Sequence, residues 1–432
     1  MTLATTLVLF EDHEWGKLYP LSLSRPVYDL RVGVTTLGRR LIAQMAARKI
    51  TRAAFVCRPW LVPQVERAFP GAVVNDLPTT DDLFFLNGSA LFFKGELERF
   101  LRQINDHPAL QSGGRLVAAR VRGEDGSKLV AALAATWGKG SPGEAEGPPS
   151  WPRGFRPKEA SEPVRFMTRP WDLVHANVAT LIDDFAITRR GKEPALPTAS
   201  PGAHLIKKAR ILSRPGSRIM PGAILDASTG PIILGEGVRI LHQAVILGPA
   251  YIGPNSLIKI GAKVYGGTSI GPMCKVGGEI EGSIIHGYAN KQHDGFLGHS
   301  YLAEWTNLGA GTDTSDLKNN YGKVRAFAPE GEIDTGHTFA GLIMGDHSKC
   351  GIGTMFNSGT VVGVMTNIFG AGYPPKHVPS FSWGGATLLE PYDLEKALAV
   401  AVLVSARRNR AFEPIDEALY RHLHQDVGTR RG

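Results

Sequence analysis

Cysteine is scarce in this chain of 432 residues: Cys57, Cys274 and Cys350 stand far apart and in no C-x-x-C spacing. Three such thiols form neither a disulfide framework nor a cysteine zinc site, and they fit a reducing cytoplasm. Long apolar runs are missing too. The run at 399–404 is far too short to span a bilayer. The run at 7–10 has no basic residue before it and meets Glu11 and Asp12 at once, which reads as a first strand and not a signal peptide. Nor is charge concentrated. Lys and Arg number 48 against 40 Asp and Glu, a net of +8, and the basic residues scatter except at Arg189-Arg190, Lys207-Lys208 and Arg407-Arg408. Without a basic stripe interleaved with aromatics, nucleic acid is not an expected partner; a dispersed basic surface suits phosphorylated substrates.

Glycine and proline, at 51 and 29, are plentiful and ask for many tight turns, which argues against a fold of long helices. With 43% hydrophobic and 20% charged residues and a mean hydropathy of -0.08, the composition is that of a soluble globular protein, with length for two or three domains. Residues 1–187 alternate short apolar strands, such as Ala54-Phe55-Val56 and Leu83-Phe84-Phe85-Leu86, with helical stretches such as 37–48. That alternation predicts an α/β domain with a mainly parallel sheet. A Gly/Pro/Glu-rich stretch at 138–163 predicts a loop, the stretch from Trp171 to Phe185 a closing helix, and the prolines of 188–203 a linker.

From 204 to 386 the pattern changes. An aliphatic residue recurs every six positions at Leu234, Ile240, Ile246, Ile252, Ile258, Val264, Ile270 and Val276, which is neither a helix nor a strand period. Four residues after each stands Val238, Ala244, Ala250, Ser256, Ala262, Thr268, Cys274 or Ile280, mostly small. This is a hexapeptide repeat, in which each hexad forms one flat face of a prism and three make a coil of a parallel β-helix. The register resumes at Leu302 and Leu308, breaks over a polar insertion, and returns in phase at Met344, Cys350, Phe356, Val362 and Ile368. Insertions leave such a prism as loops, where a solenoid puts its binding chemistry. Residues 387–432 are expected to be a helical cap and tail, the cap's apolar side formed by Leu394, Leu398, Val402 and Val404.

The densest polar constellation falls in the gap between the repeat runs: Asn290-Lys291-Gln292-His293-Asp294-Gly295-Phe296-Leu297-Gly298-His299, then Asn307-Leu308-Gly309-Ala310-Gly311-Thr312, then Asn320-Tyr321-Gly322-Lys323. In these residues the chain resembles the bifunctional N-acetylglucosamine-1-phosphate uridylyltransferase and glucosamine-1-phosphate N-acetyltransferase family, in its divergent bacterial branch with an atypical nucleotidyltransferase domain. The resemblance implies a Rossmann-like nucleotidyltransferase domain followed by a left-handed parallel β-helix acyltransferase that packs as a homotrimer in the cytoplasm.

Counted back from residues 307–312, the family pattern His-x-x-[Tyr/Phe]-Leu-Gly falls on His293, Phe296, Leu297 and Gly298, so the resemblance makes His293 the base that takes the proton from an attacking amine. His299 fits that pattern only by a shift of register. The resemblance further implies that Lys259, Lys291, Phe296, Asn307, Asn320, Tyr321 and Lys323 hold the amino-sugar phosphate. It also implies that Gly309, Ala310, Gly311, Gly341, Ser358 and Thr360 line the acetyl-CoA groove, with the amides of Gly309–Gly311 steadying the thioester oxygen. One departure is Glu281, where the family carries a lysine, which bears on phosphate affinity and on the acceptor sugar.

The first domain lacks the family's Gly-x-Gly-Thr-Arg loop and carries Leu18-Tyr19-Pro20-Leu21-Ser22-Leu23-Ser24-Arg25-Pro26 in its place. Arg25, Arg31 and Arg39 are candidates to neutralise nucleotide phosphates. Asn87 stands where the family's Mg²⁺ aspartate follows its strand, and Asp172 is the remaining acidic candidate for the metal, with a helix N-terminal acid as its alternative role. The resulting expectation is acetyl transfer from acetyl-CoA to a hexosamine 1-phosphate, together with Mg²⁺-dependent nucleotidyl transfer to a sugar 1-phosphate. Two alternatives stay open: a single-activity nucleotidyltransferase whose β-helix only trimerises, and a non-catalytic nucleotide-sugar-binding assembly protein.

Overall fold

The structure, a computed structural model, describes residues 5–78, 81–138, 147–188 and 198–431. Residues 139–146 of the expected loop and 189–197 of the expected linker, the Arg189-Arg190 pair among them, lie outside the described residues. The chain forms two compact units. No helix among the described residues is long and apolar enough to cross a membrane.

The first unit comprises residues 1–30, 35–169 and 414–432. Its sheet runs in the order Val73–Val74, Arg52–Val56, Thr5–Phe10, Asp82–Asn87, Arg115–Arg122, Ala109–Ser112, Lys158–Glu159. The strands around Thr5–Phe10 are parallel, and Arg115–Arg122 runs antiparallel to both its neighbours. Leu7, Val8, Leu9, Phe10, Phe55, Val56, Phe85 and Leu86 are all buried, as strands covered on both faces require. Helices α1 (Leu37–Ala46), α2 (Val62–Ala68), α3 (Glu96–Asp106) and α4 (Glu124–Ala134) alternate with them. Strand order reverses at Thr5–Phe10, whose two parallel neighbours lie on either side; the crevice beyond Phe10 and Asn87 is where such sheets take ligands.

The second unit holds Arg31–Val34 and residues 170–413, and it is the expected hexapeptide-repeat β-helix. Three parallel sheets form its faces, with coil stacked on coil: Ile240 pairs with Ile258 and Ile258 with Val276, while Ile252 pairs with Ile270. Every aliphatic position expected from 234 to 276 is buried in one continuous core, and so are the small positions beside them. The repeat shortens at Gly277-Gly278. Ile280, expected at a small position, therefore pairs with Val264 and Leu297 in an aliphatic column. The insertion after Thr314 carries an antiparallel hairpin, Arg325–Ala328 with Gly331–Asp334, and Leu302 stacks directly beneath Met344 across it.

Three boundaries differ from expectation. Helix α5 (Pro170–Thr188), expected to close the first domain, belongs to the second unit, where buried Asn177 donates to Gly267 O at 2.8 Å and accepts from Gly33 N at 2.7 Å and Ser269 Oγ at 3.0 Å. The coil end is closed by an antiparallel strand, Leu389–Pro391 on Ser382–Gly384, while helix α6 (Leu394–Ala406) buries Ala397, Leu398, Ala401 and Ser405 and leaves Val402 exposed. Helix α7 (Pro414–Arg431) joins the first unit, where Asp416 pairs with Arg67 and His422 stacks on Trp60.

Candidate functional site

His293 lies on the corner that joins strand Asn290–Lys291 to strand Phe296–Gly298, and it is exposed. Among the described residues no hydrogen bond or ion pair orients its imidazole. Its carbonyl, by contrast, is held: Lys291 Nζ donates to it at 2.6 Å. Lys291 pairs with Val276, so it occupies the inward column of Ile240, Ile258 and Val276 and is 2% exposed. Burial lowers its pKa to about 8. An ammonium in that column is a clamp on the corner. It does not reach the surface as the expected phosphate cation.

The neighbouring candidates divide. Lys259 is half-buried two coils earlier, and the Phe296 amide donates to Asp313 Oδ1 at 2.7 Å while its ring lies over Gly298. Asn307 bridges Asn290 and Lys349 through its backbone. Tyr321 and Lys323 are exposed in the insertion, where the Asn320 side chain accepts from the Gly322 amide at 3.0 Å. The amides of Gly309 and Gly311 are already donated, to Cys350 O at 3.1 Å and Asp294 O at 3.0 Å, so neither is free for a thioester oxygen in this arrangement. A Cβ on Gly309 would stand 2.3 Å from Gly351 O, which assigns that glycine to coil stacking. Gly341 and Thr360 are likewise buried and serve packing; Ala310 and Ser358 sit beside the same coil edges.

The opposite end of strand Phe296–Gly298 carries a constellation that the sequence pattern did not bring out. His299 Nδ1 bonds Asp316 Oδ2 at 2.7 Å. Its ring stacks on Phe339 with centroids 5.0 Å apart, and the His175 ring of α5 lies 6.0 Å from it and 3.6 Å from His337. Burial, together with the neighbouring His337, lowers the His175 pKa to about 4. Asp172 stands near His337 and raises that imidazole against the larger lowering effect of burial. The available signal was the spacing from His299 to Asp316, close to one coil of the repeat.

In the first unit the crevice beyond Phe10 and Asn87 contains Asp12, which takes two bonds from Arg115 at 2.9 and 3.1 Å and one from Asn87 Nδ2 at 2.8 Å. Burial by itself would raise the Asp12 carboxyl; Arg115, with His13 and Asn87, outweighs it and holds the carboxyl below its ordinary value. Arg115 also reaches Thr168 and Ser89 and lies over the Phe166 ring. It lines an open cleft of about 570 Å³ with His13, Glu14, Lys17 and Thr168. Asn87, expected to touch nucleotide, is fully buried and instead positions Asp12.

The three arginines expected at phosphates all make contacts within the protein. Arg31 belongs to the second unit, donating to His286 O at 2.9 Å and Val34 O at 3.0 Å. Arg39 lies over Phe69 and donates to Ala68 O, and Arg25 is buried with its carbonyl accepting from Arg58. Asp172, the acidic candidate for the metal, groups with the second unit and stands near His337. Among the described residues no three His, Cys, Asp or Glu side chains come together to hold a metal ion. With Asn87 neutral and Asp12 paired to Arg115, these donors do not fit Mg²⁺.

The profile of a sugar nucleotidyl transferase family matches residues 7–193. An uncharacterized acetyltransferase, YaiX of Escherichia coli O6:K15:H31 (strain 536 / UPEC), is 32% identical over 153 residues, covering 35% of this chain and 66% of that protein. The bifunctional protein GlmU of Rippkaea orientalis is 31% identical over 122 residues, 27% of this chain and 24% of GlmU; that of Methanococcus aeolicus is 27% identical over 228 residues, 53% and 44%. The match thus spans just under two thirds of YaiX and less than half of either GlmU. A solved UDP-N-acetylglucosamine acyltransferase from Campylobacter jejuni aligns with 52% of this chain and 95% of its own at 12% identity and a TM-score of 0.26, so the β-helix rests on its own coil pairings.

Proposed function

We propose, from the premise that this chain belongs to a divergent GlmU-like family, that it catalyses two steps of nucleotide-sugar synthesis. The second unit transfers acetyl from acetyl-CoA to the amine of a hexosamine 1-phosphate, with glucosamine 1-phosphate the first acceptor to try. The first unit joins a nucleoside triphosphate, UTP first, to a sugar 1-phosphate and releases pyrophosphate. The observation that carries the acetyl step is an imidazole-bearing segment, 293–299, set between the Asn307–Gly311 corner and the polar insertion on a hexapeptide β-helix. A neutral imidazole there accepts the proton that an attacking amine sheds. His293 holds the motif position, with Phe296, Asn307, Asn320, Tyr321 and Lys323 as its proposed sugar-phosphate neighbours.

A homotrimer is part of this reading. Ile260 and Ile352, 64% and 80% exposed, stand on the same prism corner as His293, and such exposed apolar side chains support packing of that edge against a second copy that would share the site. The acetyl step is tested by thiol release from acetyl-CoA in the presence and absence of glucosamine 1-phosphate; release that is independent of the sugar, or no release, rejects it. The nucleotidyl step is tested by pyrophosphate release from UTP with N-acetylglucosamine 1-phosphate. The Asp12–Arg115 pair favours a second reading for the first unit, nucleotide-sugar binding without turnover, in which binding is measurable and pyrophosphate is not released.

A further inference from the structure

We propose that the cationic patch where α6 ends on the prism, formed by Arg239, Lys275, Arg407 and Arg408, binds a diphosphate group. The site lies wholly in the second unit, and the inference rests on neither of the reactions proposed above.

The hexapeptide repeat itself builds half of the patch. Ile240, Ile258 and Val276 face the core, so the residues before them, Arg239, Leu257 and Lys275, form the outward column of the same face, with Asn290 next above. At about 4.8 Å from coil to coil, Arg239 and Lys275 stand about 10 Å apart along that column. Helix α6 supplies the other half. Its Ala397 and Val400 line a small cavity with Lys349 and Asn367, and its far end brings Arg407 and Arg408 to the coils below, where the Asn290 side-chain oxygen accepts from Arg408 Nη2.

These charges press on one another. Arg408 first, then burial, Arg407, Lys259 and Arg239 hold the Lys275 ammonium below its ordinary value. Among the described residues none of Arg239, Lys275, Arg407 and Arg408 makes an ion pair, and Arg408 Nε is buried without a hydrogen-bond partner. The carbonyl end of α6 offers about half a negative charge, too little to balance the group. A helix end that served the fold alone would need one such cation. Repulsion of this kind costs stability until an anion relieves it, and a diphosphate brings several charges on a short group: arginine forks take its oxygens in pairs, and Lys275 serves as a point charge. A single carboxylate would leave most of the repulsion standing.

The experiment is calorimetric titration of the full chain, without Mg²⁺ and at fixed ionic strength, with pyrophosphate, UDP, orthophosphate and a single-stranded DNA oligomer. All are run in an Arg115→Ala background, which removes a cation of the first unit's crevice. Pyrophosphate and UDP are expected to bind, orthophosphate more weakly, and Lys275→Gln or Arg408→Gln added to that background to weaken both ligands about tenfold or more. Without ligand, Lys275→Gln is expected to raise the melting midpoint, since it removes a repelled charge; a lysine that served the fold would lower it. Binding that neither substitution weakens, orthophosphate bound as tightly as pyrophosphate, binding of the DNA alone, or a lowered midpoint in Lys275→Gln overturns the assignment.

Discussion

Lys291 Nζ lies 2.6 Å from the carbonyl oxygen of His293, and the lysine that makes this bond occupies the aliphatic column of the prism. A charge in that column costs stability, and its only return is the shape of one corner. Lys291→Met is therefore expected to raise the melting midpoint. Burial depresses the ammonium to about 8 in the folded state from an ordinary value near 10.5. The unfolded chain thus binds the extra proton, and wild-type stability climbs as the pH rises through that interval. The gain from Lys291→Met should be full at pH 7 and shrink above about pH 8, measured by thermal melts across that range. A constant gain, or a loss at pH 7, refutes the burial argument.

Acid should weaken the second unit from a different place. His175, stacked on His337, and His377, stacked on Phe327, are both depressed to about 4, chiefly by burial. Their neutral forms stabilise the fold above the ordinary histidine value near 6.5, and that contribution is lost progressively as the pH falls toward 4. The midpoint is expected to drop between pH 7 and pH 5, and less so in His175→Phe, which keeps the stack and removes the titration.

Glu11 and Arg58 are both fully buried, joined at 3.0 and 3.1 Å, and together they tie down the segment that replaces the missing glycine loop. Arg58 donates to Ser22 O and Arg25 O, while Glu11 accepts from the Val27 amide. Removing one partner strands the other's charge. Glu11→Ala is expected to cost about 3–5 kcal/mol, read by denaturant unfolding of the full chain; a loss below about 1 kcal/mol contradicts the clasp.

Arg115 faces the crevice of the first unit together with Lys17. Arg115→Ala is expected to weaken UTP or UDP-sugar binding by about tenfold or more, a charge-assisted contact being worth about 1.5–3 kcal/mol. Arg39→Ala, at a site engaged with Phe69, is expected to leave that binding unchanged. Calorimetric titration of both variants checks the pair, and equal losses would relocate the site.

Much of the prism was legible because a repeat fixes its neighbours locally. One aliphatic residue in six can face a narrow core only if each hexad forms one wall, and Ile240, Ile258 and Val276 duly stack. The departures arose where the coil shortens, beginning at Gly277-Gly278, and a period cannot report its own slip. The first sheet's inner strands were equally visible in their apolar runs. Its crevice was not: Asp12, Arg115 and Thr168 are separated by long stretches of chain, and only the antiparallel return of Arg115–Arg122 brings them together.

By itself, the sequence determined the period, the inward residues and the polar segment that interrupts the repeat, because those depend on nearest neighbours along the chain. Tertiary structure alone decided that α5 joins the second unit and α7 the first, that Lys291 points inward, and that Asp316 and Phe339 hold the His299 ring while, among the described residues, no bond orients the His293 imidazole. These outcomes depend on burial and on hydrogen bonds between residues distant in the chain, whose free energies exist only after the coils have closed.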